Sequence, residues 1–374
     1  MSEIKELIER LCPDGVEFKK LVGLAEVGTG SSNKQDSSDD GKYPFFVRSK
    51  FVERHNNYEY DEEAIIIPGE GGIGDIFHYI NGKYALHQRV YRIHFTTNSV
   101  NTKFAYYYLR NSFKKYILGK AVSATVTSIR KPMIQNFEIP VPPIEVQSKI
   151  VEILDNFTEL EAELEAELEA RRKQYEYYRN QLLSFDDTRS DVKWMKLGEV
   201  AVITAGGDAP KQNMSKEKTA QYFIPIISNG VGMNAIYGYT DTAKIEKEAV
   251  TIAARGTIGY AEYRDYPYYP IIRLISVIPK DANLLSTKYV YYILSIQKYN
   301  VSKAGIPQLT VPTVKEVSIP IPALSEQKRI VAILDRFEAL TTDLQSGLPA
   351  EIEARRKQYE YYREKLLTFK RKSA

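Results

Sequence analysis

The sequence predicts an α+β protein in which one module is written twice, with two globular domains joined by two long antiparallel coiled-coil helices. Ile-Pro-x-Pro at 139–142 recurs at 319–322. The first part of each module holds short β-branched and aromatic runs that end at Gly, Asn or Pro, which is typical of strands. From Ile144 to Leu183 there is no Gly or Pro, and apolar residues recur three or four positions apart, which predicts an amphipathic helix.

The repeat divides the 374 residues into four parts. We predict domain 1 at 1–142, a central spacer helix at 143–187, domain 2 at 188–322 and a C-terminal spacer helix at 323–374. The stretch Ala170–Arg179 recurs as Ala354–Arg363. Four extra residues at 346–349 precede the second copy, and there Gly347 and Pro349 should break the helix. The two copies therefore predict a pseudo-twofold internal repeat with a bend on one side only.

Local patterns predict the elements within each domain. The predicted strands include Ala64–Ile67, Tyr84–Ile93, Ala249–Ala253 and Ile271–Ile278. Asn81-Gly82 is the dipeptide that tight hairpin turns prefer, so a hairpin is expected there. Lys103–Leu118 and Thr287–Ile296 are predicted helices.

Composition and charge restrict the class of protein. With 43% hydrophobic and 26% charged residues, the chain is an ordinary globular one. Cys12 is the single cysteine, and no apolar run has the length of a membrane span, so we expect a cytoplasmic protein with no membrane contact. The net charge is +2 in 1–142, −7 in 143–187, +5 in 188–322 and +3 in 323–374. The net charge is too small to predict nucleic-acid binding by itself, but because an acidic spacer would be repelled by phosphates, any DNA contact should come from the domains.

No motif predicts a catalytic or metal site. Gly69–Gly74 fits G-x-G-x-x-G, but the residues before Asn81-Gly82 are too few for the helix that a dinucleotide site needs, so a tight strand–turn–strand is the better interpretation. The four histidines all lie in the first module without a cysteine partner. We therefore predict no metal and no bound cofactor.

Basic and amide side chains collect where the two modules differ most. Arg, Lys, Asn and Gln can read base edges, and Lys, Ser and Thr commonly hold phosphates. The predicted DNA-binding residues are Arg48, Lys50, Arg54, Asn57, Arg130, Lys131, Lys211, Asn213, Asn229, Arg255, Gln308 and Thr310.

The whole pattern resembles the specificity (S) subunit of type I restriction–modification systems, the HsdS family. The residues that carry the resemblance are Phe137–Pro143, the Gln147 and Ile150–Asp155 helix start, and Tyr175–Leu183, with their second copies. The resemblance implies two target recognition domains and a spacer that docks methyltransferase (M) subunits. The residues expected to dock them are Arg171, Arg172, Tyr175, Tyr178, Arg355, Arg356, Tyr359 and Tyr362.

The resemblance also implies the partners and the division of labour. The chain would direct two M subunits, and in the full complex restriction (R) subunits, to a bipartite target in double-stranded DNA, without catalysis of its own. S-adenosylmethionine, ATP and Mg are then expected on the partner subunits. The alternative is a coiled-coil interaction scaffold whose two modules bind proteins or glycans, which the small net charge of +3 leaves open.

Overall fold

A computed structural model describes residues 2–120, 128–186, 191–299, 307–343 and 346–373. The chain forms two compact units: unit 1 comprises Met1–Glu165 and Glu351–Ala374, and unit 2 comprises Ala166–Ala350. The predicted boundary between the central helix and domain 2, at 187/188, lies outside the described residues.

Unit 1 begins with a helix, continues as a sheet domain and ends in a long helix. Its strands are β1 (Phe18–Lys20), β2 (Ala25–Thr29), β3 (Tyr43–Phe46), β4 (Val52–His55), β5 (Tyr60–Pro68), β6 (His78–Leu86), β7 (Val90–Phe95) and β8 (Glu138–Pro140). Its helices are α1 (Ser2–Leu11), α2 (Thr102–Lys120), α3 (Lys131–Gln135) and the first part of α4 (Ile144–Leu183).

A six-stranded sheet in the order β2-β7-β5-β6-β3-β4 forms the body of this unit, and β1 pairs with β8 beside it. The predicted strand Ala64–Ile67 is the centre of β5. All four of its side chains are fully buried, because β5 has strand neighbours on both sides and core on both faces. Helix α2 covers one face through Phe113 and Leu109.

Unit 2 repeats this plan with one interruption. Its strands are β9 (Lys193–Lys196), β10 (Ala201–Ala205), β11 (Ile224–Ile227), β12 (Ile236–Thr240), β13 (Ala249–Ile252), β14 (Ala261–Arg264), β15 (Tyr269–Pro270), β16 (Ile275–Pro279) and β17 (Ser318–Ile321). Its helices are α5 (Leu197–Val200), α6 (Thr287–Ser295), α7 (Val311–Lys315) and α8 (Leu324–Thr342). The sheets are β10-β16-β13-β14, β12-β11-β15 and β17-β9, so the position of β6 is split between β14 and β15.

The hairpin predicted at Asn81-Gly82 is wrong. Both residues lie inside β6, opposite Glu63 and Glu62 of β5. Because β5 extends to Tyr60, which pairs with Tyr84, the ladder continues past Asn81-Gly82 and no turn forms. The β5–β6 connection is instead the glycine-rich segment Gly69–Gly74, as the strand–turn–strand interpretation predicted.

Two long strand predictions each contain a turn that the apolar pattern concealed. Tyr84–Ile93 is divided between β6 and β7 by a turn at His87–Arg89, closed by a hydrogen bond from Val90 N to His87 O. Ile271–Ile278 contains an equivalent turn, closed from Leu274 N to Ile271 O, before β16 begins at Ile275. Both turns carry an arginine, Arg89 in the first and Arg273 in the second.

The duplicated helix start fixes each domain to its spacer helix. Gln147 is fully buried, and its side chain donates to the carbonyl oxygens of Ser99 and Pro142 and accepts from Asn101 N. Asp155 accepts from Lys103 Nζ at 2.6 Å and from the Tyr107 hydroxyl at 2.5 Å. In unit 2, Gln327 and Asp335 make the matching bonds, which explains why Gln and Asp stand in both copies.

The two spacer segments differ in continuity. Helix α4 is continuous for 40 residues, whereas the second copy consists of α8 and α9 (Leu348–Leu366). The break needs Gly347, because a Cβ there would lie 2.6 Å from the Ala339 carbonyl oxygen at the end of α8. Pro349 lies in the first turn of α9, a position that requires no backbone N–H donor.

Within unit 1 the start of α4 and the end of α9 pack antiparallel. Phe157 contacts the ring of Tyr362 with centroids 5.6 Å apart, while further along α4 Glu161 binds Arg356, which precedes Tyr362 on α9. In unit 2, the second part of α4 places Tyr178 on Phe337 of α8, with centroids 5.7 Å apart. The apolar stripe of α4 is therefore covered in both units.

Candidate nucleic-acid interface

Three loops of unit 1 meet at Glu70. Arg48, after β3, places Nη1 3.0 Å from Glu70 Oε2. Arg89, in the β6–β7 turn, places Nη1 3.0 Å from both carboxylate oxygens. Hydrogen bonds from Arg89 and Arg48 lower the pKa of the Glu70 carboxyl below its ordinary value. The result is an exposed cluster of two arginines around one ionised carboxylate.

Gly69 and Gly71 allow the three loops to approach one another closely. A Cβ on Gly71 (φ 74°) would lie 3.0 Å from the carbonyl oxygen of Arg48, and one on Gly69 would lie 2.9 Å from that of Arg89. A fourth segment joins through the hydrogen bond from Ile129 N to Gly69 O, at 2.8 Å. It places Arg130 beside Glu70 and Arg89 at the lining of one shallow pocket.

A buried histidine supports the same turn. His87 is 5% exposed, and its Nδ1 accepts from Arg89 N at 3.0 Å. Burial lowers the pKa of His87, and the charges of Arg48 and Arg89 lower it further. The neutral ring is thus favoured, which keeps Nδ1 available as an acceptor beneath Arg89.

The corresponding loops of unit 2 meet at Gln308. Its Oε1 accepts from Arg255 Nη2 at 2.8 Å, from Arg255 Nε at 3.1 Å and from Arg273 Nη1 at 2.9 Å. Asn229 holds the loops together, because Oδ1 accepts from Ala254 N at 2.7 Å and Nδ2 donates to Ile272 O at 2.6 Å. The Gln308 amide is therefore fixed by its oxygen.

The turn that presents Arg273 is strained. Ile272 (φ 53°) and Arg273 (φ 61°) both adopt the left-handed region, which costs on the order of 1–3 kcal/mol for each residue that is not glycine. Their N–H groups donate to Gly207 O and Gly206 O at 2.8 and 2.9 Å, which holds the conformation. Backbone strain of this kind is concentrated at functional sites.

The loops of the two units are equivalent, but their side chains differ. Matching backbone bonds run from His87 N to Phe46 O and from Ile271 N to Ile227 O. A second matched pair runs from Ile129 N to Gly69 O and from Leu309 N to Ala254 O. On this frame the equivalent pairs are Arg48 and Asn229, Glu70 and Arg255, Arg89 and Arg273, and Ser128 and Gln308.

Several predicted DNA-binding residues lie outside these two clusters. The Arg54 guanidinium donates to the carbonyl oxygens of Gly41 and Lys42, and Asn57 closes a local turn on His55. Asn213 binds Asp241, with exposed Lys211 nearby on the same loop. At the border of the clusters, Thr310 is the N-cap of α7, and Arg130, which lines the pocket beside Glu70, begins α3 with Lys131 at the equivalent place. Lys50 is exposed on the loop after β3.

Sequence reasoning missed Glu70, Arg89 and Arg273. Both arginines lie within apolar runs that predict continuous strands. Glu70 lies in the glycine-rich motif, where the sequence predicts a tight strand–turn–strand and no binding site. The signal that could have found them is a turn within each run, placed at nearly the same distance from Gly69–Gly74 and from its second copy.

On the spacer helices, the predicted docking tyrosines pack on the neighbouring helix within each unit, and Tyr178 stays 38% exposed. Tyr175 and Tyr178 pack on Phe337, and Tyr359 and Tyr362 pack on Phe157. Arg356 binds Glu161 and Glu165. Arg171 and Arg355 bond within their own helices to Gln174 and Gln358, whereas Arg172 is exposed. The outward tyrosines are Tyr177 and Tyr361, which are 63% and 59% exposed.

The described residues offer no competing metal site. Within the ranges given above, no three His, Cys, Asp or Glu side chains are placed to hold an ion. None of the helices described is both long enough and apolar enough to cross a membrane.

The family model described as the type I restriction modification DNA specificity domain matches this chain twice, at residues 13–170 and at 189–354. The chain belongs to this family. A Mycoplasma pneumoniae protein named as a type I specificity subunit is 35% identical over 83% of this chain and 94% of its own length. The specificity subunit of the Escherichia coli type I enzyme EcoprrI is 31% identical over 92% and 93%.

A solved structure supports the fold independently of sequence. The S subunit of a type I restriction–modification system from M. genitalium superposes with a TM-score of 0.62, covering 94% of this chain and 96% of its own, at 19% identity. The predicted α+β fold with its internal repeat is confirmed. Family membership also confirms that the chain is a DNA specificity subunit and not an enzyme.

Proposed function

We propose that the two domains read the two halves of one interrupted DNA sequence, one half-site each. The observation that carries this proposal is the pair of equivalent loop clusters with different side chains. Arg48, Glu70 and Arg89 in unit 1 stand where Asn229, Arg255 and Arg273 stand in unit 2. Equivalent loops with different hydrogen-bonding groups would allow one fold to recognise two different base sequences.

The proposed contacts follow from which groups have no partner within the part of the chain that the structure describes. In unit 2 the Gln308 oxygen is occupied by two arginines, so its amide nitrogen is left to donate to a base acceptor such as guanine O6 or N7. In unit 1 the ionised Glu70 can accept from the amino group of cytosine or adenine. The remaining cations Lys50, Arg130, Lys131 and Lys211 are exposed and are assigned to phosphates, which position the domains without reading sequence.

The spacer helices are proposed to dock two M subunits, with R subunits joining in the full complex. Since the inward tyrosines are used in helix packing, the docking surface is assigned to outward groups at equivalent places in the two copies, Tyr177 and Tyr361, together with Arg172. Exposed tyrosine and arginine are the side chains that protein interfaces favour. S-adenosylmethionine, ATP and Mg would be bound by the partners, in the cytoplasm.

Mapping of methylated bases tests this function. The genome of a host carrying the chain with its M subunit is sequenced by a single-molecule method that detects methylation, with and without this gene. The expected result is one interrupted motif, methylated only when the gene is present. A continuous motif, or methylation that does not depend on the gene, would contradict the proposal and favour an interaction scaffold.

A further inference from the structure

The two most exposed large hydrophobic side chains among the described residues are Met233, at 79%, and Phe51, at 69%. Single exposed apolar residues are common on protein surfaces, so exposure alone assigns no role. Their position is what matters. Phe51 lies between β3 and β4, and Met233 lies between β11 and β12, which are the equivalent loops of the two units. One loop thus carries an exposed apolar side chain in both domains.

Phe51 is held at the tip of its loop. The Ser49 hydroxyl accepts from Phe51 N at 3.0 Å and donates to Phe51 O at 3.1 Å, which fixes the backbone that carries the ring. Lys50 Nζ lies 5.1 Å from the ring centroid, and Arg48 leads from the same loop to Glu70. An apolar ring is therefore presented beside a cation.

The equivalent loop of unit 2, which carries Met233, is closed by hydrogen bonds of its own. Ser228 closes the loop on Ala235 O through its N–H, at 2.8 Å, and its hydroxyl, at 3.1 Å. The tip is a 3₁₀ turn at Gly232–Ala235, in which Gly232 has φ 56°. Asn229 at the foot of the loop bonds to the carbonyl oxygen of Ile272, next to Arg273. Met233 thus projects from the loop that borders the Gln308 cluster.

We propose that Phe51 and Met233 are apolar wedges that insert between stacked base pairs, one in each half-site. This inference rests on the proposed function. Lys50 beside Phe51, and the arginines of the Gln308 cluster that borders the Met233 loop, would bring each tip to the phosphates, and the faces of the bases are then the large apolar surfaces within reach. Phe and Met are among the side chains that open base steps in this way. Opening a step would lower the cost of extruding a neighbouring base, which methylation of a base in duplex DNA requires.

The experiment uses the complex assembled with its M subunit and duplexes of the mapped target, with 2-aminopurine replacing one base at a time. Unstacking raises 2-aminopurine fluorescence. The wild-type complex is expected to raise it at one step in each half-site. Phe51→Ala should abolish the rise in one half-site and weaken binding about tenfold, while Met233→Ala does the same in the other. Phe51→Leu, which keeps an apolar side chain, should restore part of both effects.

Matched controls come from exposed apolar residues away from these loops. Val22 in unit 1 is 57% exposed and Leu284 in unit 2 is 40% exposed, and their alanine variants should behave as wild type. Wild-type fluorescence from Phe51→Ala and Met233→Ala would overturn the wedges while leaving sequence recognition standing. Loss of M-subunit association, with DNA contacts unchanged, would also overturn them. If the wild-type complex selected no sequence, the proposed function itself would fail.

Discussion

The side-chain amide of Gln147 donates a hydrogen bond to the carbonyl oxygen of Pro142 at 2.7 Å, and this buried contact joins domain 1 to α4. Gln327 makes the same bond to Pro322 at 2.9 Å in unit 2. Each glutamine satisfies two carbonyl oxygens and one N–H where the chain enters its helix. The Ile-Pro-x-Pro motif and the following Gln are therefore repeated because they form one joint.

Gln147→Leu should destabilise unit 1 strongly. The leucine leaves the buried Pro142 carbonyl oxygen without a partner, which costs about 1–3 kcal/mol, and it removes the partly buried bonds to Ser99 O and Asn101 N, so a loss of about 2–4 kcal/mol is expected. Thermal and denaturant unfolding measure it. Gln181→Leu, an exposed change on the same helix, is the control. Equal stability of the two variants would show that the joint does not support the domain.

Acid should loosen unit 1 before unit 2. Burial lowers the pKa of His78 and of His87 below the ordinary 6.5. As the pH falls below about 6.5, the unfolded chain takes up protons that the folded domain resists, so the free energy of unfolding decreases. All four histidines lie in unit 1. Hydrogen exchange at pH 7.5 and 5.5 should show lost protection in β6 but not in β13.

A double histidine variant is the control for this pH dependence. His78→Gln combined with His87→Asn keeps polar groups at both places but removes the titration. The double variant should show the same protection in β6 at both pH values. A pH dependence as steep as that of the wild type would mean that other groups cause it.

Substitution of a packed spacer tyrosine should lower protein stability, whereas substitution of an exposed one should weaken binding of the M subunit. Tyr178→Ala removes a ring from Phe337 and should cost about 1–2 kcal/mol of stability. Tyr177→Ala and Tyr361→Ala should leave the melting temperature unchanged but weaken association with the M subunit about tenfold, measured by calorimetry. If Tyr177→Ala and Tyr361→Ala bound the M subunit as tightly as wild type, the docking surface would lie elsewhere.

Relieving the strain in the turn at Arg273 should raise the stability of the protein and lower its DNA selectivity. Arg273→Gly relieves a left-handed conformation and should raise the free energy of unfolding by up to about 1 kcal/mol. It also removes one of the two arginines that fix Gln308, so selectivity in one half-site should fall. Chemical denaturation and binding to target and substituted duplexes measure the two effects. A variant that is less stable than wild type would contradict the assignment of strain.

The sequence predicted those parts that depend on local periodicity. The helix from Ile144 to Leu183 and the break at Gly347 follow from spacing and from Gly and Pro chemistry, both read along the chain. The clusters at Glu70 and Gln308 do not, because each joins loops from distant strands. Arg255 and Gln308, for example, are 53 residues apart and meet only once the sheets have formed. Arg54 has the chemistry of a base contact, but its position depends on the fold, in which it bonds to the carbonyl oxygens of Gly41 and Lys42.

The most direct test of whether each domain recognises its own half-site is to compare the DNA motifs methylated by complexes that carry Gln308→Ala or Glu70→Ala. Gln308→Ala should relax discrimination at one position of one half-site, by on the order of 1 kcal/mol for the loss of one hydrogen bond. Glu70→Ala should relax a position in the other half-site, and the gap should stay as in wild type. If either substitution altered both half-sites, or if both altered the same one, the assignment of one half-site to each domain would be wrong.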